Sequence, residues 1–264
     1  MDPSAVTALL RGPQRWSVTH IGQTGSTNAD LAAGANIPHG RVLITEEQLA
    51  GRGRSGRDWF CPPGAGLMFS VLLRLPEIPA DRRGWTGALL GLAMVRAVNG
   101  TGIPAQLKWP NDVLIAGHKC AGILGEVAGS ALVIGTGINV SLVPAELPRS
   151  DATSLWLAAP AGNDTAGVVL DRNALLAAIL DSFGDLLDRW VAARGDVDAS
   201  GLRVEYRRAC ATIGSRVRLE LPGGAAVLAE AVDVALDGSL IVVDDEGRRA
   251  AYSAADVVHL RPGS

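Results

Sequence analysis

QLKWPNDVLIAGHKCAGILGEVAGSALVIGTGINV, residues 106–140, is the stretch on which the fold class turns. Residues 106–115 are extended and broken at Pro110, whose ring fixes φ and pushes Trp109 toward extended backbone. Residues 119–127 and 131–140 carry the apolar runs of two strands, paired through the short turn at 128–130. Gly122 and Gly125 interrupt the first of them, and a glycine inside a strand marks close approach of a ligand or another backbone. Residues 127–145 carry no charge, but Ser130, Thr136, Asn139, Ser141 and several glycines break the run. A spanning helix needs about 20 mostly apolar residues, so this is buried strand and loop. GTGINV, residues 135–140, lacks the GxGxxG frame and has no helix after it, which leaves a dinucleotide fold unsupported.

Outward from this core, residues 67–75 (LMFSVLLRL) form a buried strand, and 41–45 (RVLIT) and 16–21 (WSVTHI) two more. Residues 22–28 (GQTGSTN) form a turn rich in capping residues before a short helix over 29–35. Residues 82–99 form an apolar helix offering Trp85, Leu89, Leu92, Val95 and Ala97 to the core. Residues 141–153 are a proline-containing loop. Over 171–194 Leu175, Leu176, Ile179, Leu180, Phe183, Leu186, Leu187 and Trp190 recur at helical spacing. After about residue 212 the texture changes to short alternating runs at 216–221, 227–234, 239–243, 250–253 and 257–260, with turns at 222–224, 237–238 and 246–247. That is the pattern of a small barrel of about 50 residues, and it divides the chain into 1–212 and 213–264.

The chain has 264 residues, 48% of them hydrophobic and 19% charged, with a formal net charge of -3. Such a composition supplies a large core and excludes a globally basic nucleic-acid binder. The first residues lack the apolar segment of a secretory signal. Three widely spaced cysteines without a CxxC indicate neither a zinc site nor a disulfide framework, which fits a reducing, cytoplasmic location. Among 24 lysines and arginines, lysine stands only at positions 108 and 119. Arginine replaces lysine readily on a solvated surface and poorly where a compact ammonium is needed.

Several stretches carry chemistry. In GRGRSGRDW (51–59) Gly51, Gly53 and Gly56 alternate with Arg52, Arg54 and Arg57. Glycine permits close backbone approach, and guanidinium forks grip phosphate or carboxylate, so the loop suits a clamp on a polyanion. The alternatives are a solvated turn or an RGG-like nucleic-acid segment; no Walker A frame is present. In KWPNDV (108–113) Asp112 could orient an amine or hold a metal ion, or be a plain Asx-turn residue. Lys119 in HKCAGILGE (118–126) is either a site residue or an edge-strand lysine. The histidines at 20, 39, 118 and 259 show no ligand spacing, and Ser26 sits in no GxSxG elbow.

In order, GSTN (25–28), QLAGRGRSGRDW (48–59), KWPNDV (108–113), HKCAGILGE (118–126) and GTGIN (135–139) closely resemble the biotin protein ligases over residues 16–151. GSRVRLELPGG (214–224) is similar to that family's C-terminal SH3-like module. The resemblance implies an α+β catalytic domain with a mixed sheet and flanking helices, like that of class II aminoacyl-tRNA synthetases, followed by a small C-terminal SH3-like β-barrel. It implies a two-step reaction: biotin and ATP, with Mg²⁺, give biotinyl-5′-adenylate and pyrophosphate, and a lysine of a biotin carboxyl carrier domain then takes the biotin. By analogy Ser26, Thr27, Asn28 and Gln48 hold the ureido end, Gly51, Arg52, Gly53 and Arg54 form the closing loop, and Trp59, Leu124, Gly135 and Gly137 make the apolar slot. Lys119 contacts biotin and ATP; Arg52, Arg54, Arg57, Lys108, Asn111 and Asn139 serve ATP. Lys119, Arg54 and Asp112 are the implied catalytic set, with Asp112 orienting or deprotonating the incoming lysine. The metal ligands are not readable.

This chain departs from the family at Ser55, where a basic residue is usual. Only 25 residues precede Ser26, fewer than the roughly 50 a domain needs. The sequence therefore resembles the monofunctional type, for which no DNA-binding domain of the repressor kind, no operator binding and no membrane partner are expected. Family members dimerise through sheet edges, so a homodimer stays open. The alternatives are a lipoate or octanoate ligase of the same superfamily and a nucleic-acid module using GRGRSGR; the 4% aromatic content argues against the latter.

Overall fold

Gly66–Leu73 is apolar at almost every position, and as strand β3 it is buried along its whole length. A strand with no solvent face needs neighbours on both edges and cover on both sides. The structure, a computed structural model, describes residues 1–34, 37–159, 171–221, 224–253 and 255–260. It places β3 in a seven-stranded sheet of order β1 (Ser17–Thr24), β2 (Arg41–Gln48), β3, β7 (Ala131–Asn139), β6 (His118–Ala128), β5 (Asp112–Ile115), β4 (Ala105–Lys108). β1 and β2 are parallel and the other neighbours antiparallel, so the sheet is mixed.

Successive side chains of a strand point to opposite faces, and β3 divides its residues accordingly. Leu67, Phe69, Val71 and Leu73 enter the main core, while Leu72 joins Leu31, Ala131 and Val133 on the other side. That second side is covered by α2 (Thr27–Ala33), which packs on β2, β3, β6 and β7. The main side is covered by α3 (Trp85–Asn99), lying against β4, β5 and β6. After the short α4 (Leu155–Ala158), the long α5 (Arg172–Ala192) packs against α3, with α1 (Pro3–Leu9) across it. Asp171 caps α5 by accepting from the Asn173 and Ala174 N–H groups, and the inward Phe183 stacks on Trp16 with ring centroids 6.0 Å apart.

A second, antiparallel sheet has the order β11 (Arg249–Tyr252), β10 (Leu240–Val243), β9 (Ala226–Val234), β8 (Arg216–Glu220), β12 (Asp256–His259). Val217 and Leu219 point inward from β8 between exposed Arg216, Arg218 and Glu220. This module follows α6 (Leu202–Ala209) and is fastened directly to the larger sheet. Ala211 N donates to Leu107 O at 2.8 Å. Trp109 Nε1 donates to Gly238 O and Trp85 Nε1 to Ala235 O, each at 3.0 Å. The buried core runs on without a break from one sheet into the other.

The expected α+β class, mixed sheet and C-terminal module of five strands are present. Three local expectations change. Residues 22–24 continue β1, because Gln23 and Thr24 stay in register with Glu47 and Gln48 of β2. Residues 106–115 are a hairpin, with Lys108 opposite Asp112 across residues 109–111. The third helix begins only at Trp85, after a separate 3-10 turn at Ala80–Arg82. Ala35, at the end of the expected short helix, and residues 222–223 of the expected turn lie outside the described residues. Among the described residues no helix is long and apolar enough to cross a membrane.

Candidate active site

A cavity of about 760 Å³ opens where the sheet, the 51–59 loop and the second module meet. Ser26, Thr27, Asn28, Gln48, Arg52, Gly53, Arg54, Arg57, Trp59, Lys108, Asn111, Asp112, Lys119, Leu124, Gly135, Gly137 and Asn139 all line it. Gly51 does not. It sits at the root of the loop, where Trp59 N donates to Gly51 O at 2.9 Å and an added Cβ would lie 2.4 Å from Trp59 O.

One end of the cavity is a chain of polar side chains. Ser26 caps α2, which brings Thr27 and Asn28 onto the helix's first turn facing β3 and β7. Gln48, the last residue of β2, accepts from Thr27 N at 2.9 Å. Thr27 Oγ1 lies 2.7 Å from Ser70 Oγ, which in turn is 2.6 Å from Asn28 Oδ1. Asn28 Nδ2 donates to Glu126 Oε2 at 2.7 Å and to Leu124 O at 3.2 Å.

The floor is bare backbone. β6 and β7 set Gly122 opposite Gly137 and Leu124 opposite Gly135. A Cβ on Gly137 would lie 2.2 Å from Trp59 Cε2, and one on Gly135 2.1 Å from Asn28 Oδ1. The room these glycines leave is therefore filled by the Trp59 indole and the Asn28 amide, which form the surface of the slot.

The opposite end is cationic. Lys119 Nζ lies 2.6 Å from Asp112 Oδ1. The loop folds back on itself through the Arg52–Asp58 bridge and a Gly53 N to Arg57 O bond of 2.6 Å. Its bend uses left-handed backbone at Ser55 (φ 55) and Gly56 (φ 72), a conformation glycine accepts without cost and serine only with some. The bend turns Arg54 inward, where burial pulls its guanidinium below the usual range although Asp256 and Asp112 oppose this. Arg54 Nη1, Trp59 Nε1 and Asn139 Oδ1 are buried without a hydrogen-bond partner among the described residues. Buried polar atoms without a partner are rare in folded chains, and these three belong to residues that line one cavity.

Sequence reasoning missed part of the wall. Ser70 is a polar residue inside an apolar strand, a signal that was legible. Arg149 and Asp151 form an ion pair at 2.7 Å on the lip. Burial pushes the Asp151 carboxyl up, but its bonds to Arg149 outweigh this and hold it below the usual range. The second module contributes Asp256, which pairs with Arg57, and His259, whose Nε2 lies 3.0 Å from Thr212 Oγ1. Burial, with Lys108 adding to it, keeps the His259 imidazole below its ordinary value. No local motif marks these residues, because the module's docking alone brings them here. Among the described residues no group of three His, Cys, Asp or Glu side chains is placed to hold a metal ion.

Residues 21–142 match the model of the biotin/lipoate A/B protein ligase family, and residues 212–260 that of the biotin protein ligase C terminal domain. The chain is 43% identical over 249 residues to the biotin--[acetyl-CoA-carboxylase] ligase of Mycobacterium tuberculosis, covering 91% of this chain and 88% of that one. It is 37% identical over 158 residues to the bifunctional ligase/repressor BirA of Bacillus subtilis, covering 56% of this chain and 48% of the relative. A solved biotin protein ligase from Aquifex aeolicus in complex with biotin and ATP superposes with a TM-score of 0.76 at 27% identity, covering 93% of this chain and 99% of that one.

Proposed function

This chain belongs to the biotin/lipoate protein ligase family, among its biotin protein ligases, and from that membership we propose how its own residues carry out the reaction. It activates biotin with ATP and transfers it to a lysine of a biotin carboxyl carrier domain. One observation carries the assignment of roles: the Thr27–Ser70–Asn28 chain, the Trp59 slot and the Lys119–Arg54 cluster line a single cavity in that order of chemistry.

In the first step a biotin carboxylate oxygen attacks the α-phosphorus of ATP and pyrophosphate leaves. Both reactants are anionic, so the site must supply fixed positive charge. Lys119, held by Asp112, places an ammonium where the carboxylate and α-phosphate meet. Arg52 and Arg54 close over the phosphates from the loop, with Lys108 and Arg57 beyond them. Asn111 and Asn139 stand on the nucleotide side, the unpaired Asn139 Oδ1 suiting an exocyclic amine. When bound with ATP, Mg²⁺ would supply further positive charge at the phosphates that Arg52, Arg54 and Lys119 face. In the second step the carrier lysine's amine attacks the anhydride carbonyl, the amine proton is lost and AMP leaves; Asp112 orients the incoming amine. The closed loop keeps water from the anhydride until then.

The division at 212/213, a cytoplasmic location and a homodimer through the β1 edge of the sheet belong to the same reading; equilibrium sedimentation tests the last. The reaction itself is tested by incubating the protein with biotin, ATP, Mg²⁺ and an apo carrier domain, and following the carrier's mass. Biotin attached to one carrier lysine is expected, with lipoate in place of biotin giving little product. Absence of both adenylate and modified carrier overturns the reading.

A further inference from the structure

At the polar end of the cavity the hydrogens of Thr27, Ser70 and Asn28 all run into the protein. Asn28 Nδ2 faces Glu126 Oε2 at 2.7 Å and Leu124 O at 3.2 Å. Turning the amide over would set its oxygen against two acceptors, so Oδ1 must face Ser70. Ser70 Oγ, 2.6 Å from that oxygen, must then donate to it. Its single hydrogen is used, so Thr27 Oγ1 must be the donor at this end, to Ser70 Oγ at 2.7 Å or to Gln48 Oε1 at 3.2 Å, both of which lie inside the protein. Gln48 is fixed in the same way: Oε1 accepts from Thr27 N at 2.9 Å and lies 3.2 Å from Thr27 Oγ1, which among the described residues leaves Nε2 with only the sulfur of Met68 at 3.6 Å.

The hydrogen of Thr27 and both Nδ2 hydrogens of Asn28 are thus directed into the protein. Toward the cavity Thr27 Oγ1 and Asn28 Oδ1 offer lone pairs, and Gln48 Nε2 offers a donor. Ser70 is 0% exposed and Asn28 5% exposed, so neither can exchange these bonds for water at little cost.

We infer that Ser70 and Glu126 are positioning residues that set the direction of this chain, and so select a ligand head that presents N–H donors beside a carbonyl. A cyclic urea has that pattern; the dithiolane of lipoate and the alkyl end of octanoate have no N–H. The inference rests on the proposed biotin ligase activity. It adds that specificity against the fatty substrates of the superfamily is set by residues that need not touch the ligand.

The test measures kcat and KM for biotin, and the ratio of biotin to lipoate kcat/KM, in adenylate formation by the whole protein. Ser70→Ala removes the donor to Asn28 Oδ1 and the nearer of the two acceptors that hold the Thr27 hydrogen inward. It should raise the biotin KM by about tenfold, or ~1.4 kcal/mol, leave kcat within about threefold, and narrow the biotin-to-lipoate ratio by a similar factor. Glu126→Leu should do the same from the partly exposed end of the chain, where folding is less at risk. Glu126→Gln keeps an acceptor for Asn28 and should stay near wild type. Unchanged KM and ratio in Glu126→Leu, with folding confirmed by thermal melting, overturn the inference, as does a loss in Glu126→Gln equal to that in Glu126→Leu. A wild-type protein that forms no biotinyl adenylate instead overturns the activity on which the inference rests.

Discussion

Lys119 Nζ lies 2.6 Å from Asp112 Oδ1, although the strand register pairs Asp112 with Gly122 and sets Lys119 beside Leu114. The contact is diagonal and depends on Gly122. A Cβ there would lie 3.3 Å from Lys119 Nζ, so the missing side chain lets the ammonium fold over the backbone to reach the carboxylate. One of the chain's two lysines is thereby held at a fixed point in a half-buried site. Lys119→Ala should slow ATP–pyrophosphate exchange by roughly 10²–10³-fold while weakening equilibrium biotin binding far less. Lys119→Arg should not restore the rate, since a planar fork does not replace a compact ammonium in this geometry. Equal losses in exchange and in biotin affinity would place Lys119 in binding alone.

Arg54 is turned into the cavity by the bend at Ser55 and Gly56, with Nη1 lacking a hydrogen-bond partner among the described residues. Arg54→Gly removes that cation and loosens the loop at once. The bound adenylate should leave about tenfold faster or more, seen as adenylate free in solution and as modification of bystander amines. Retention as tight as in wild type would show that the loop is not the lid.

Gly137→Ala places a methyl group 2.2 Å from the ring of Trp59. The indole must move, at a cost of about 1–3 kcal/mol, read as a lower thermal midpoint and altered tryptophan fluorescence. Gly135→Ala drives instead into the Asn28 amide at 2.1 Å and Ser70 Oγ at 2.8 Å. It should weaken biotin binding by about tenfold or more, with Trp59 fluorescence little changed. The two variants separate the slot from the polar end by calorimetry and fluorescence on the same samples.

His259 ties β12 to Thr212, whose Oγ1 also accepts from Trp109 N at 3.0 Å. Burial, with Lys108 adding to it, lowers the folded imidazole below its ordinary value of 6.5. In that interval the unfolded chain binds the extra proton, so the contribution to stability is present above the unfolded value and is lost as pH falls through the folded one. The thermal midpoint should therefore drop between about pH 7 and 5, and His259→Gln, which keeps a partner for Thr212 without titrating, should flatten the drop. A variant with the wild-type slope would assign the pH dependence to other groups.

Most of this protein's local structure was legible in its residues, because period and capping are local physics. The run GLMFSVLL, apolar but for Ser70, announces a buried strand, the leucine and aromatic spacing after Asp171 a helix, and the alternating runs after residue 212 a small β module. The cation-bearing loop and the two isolated lysines were legible too, the loop by its alternation of glycine with arginine and the lysines because only two stand among 24 lysines and arginines. What tertiary structure alone decided is which groups meet. The diagonal Lys119–Asp112 pair depends on strand register. The filling of the glycine floor by Trp59 and Asn28 depends on how a loop and a helix land on the sheet. Asp256 and His259 reach the cavity only because the second module docks through Trp85 and Trp109. Hydrogen-bond direction through Ser70 is set by contacts 42 residues apart in sequence. Spacing along the chain carries none of this, because distances across a sheet are fixed by packing and register and not by residue number.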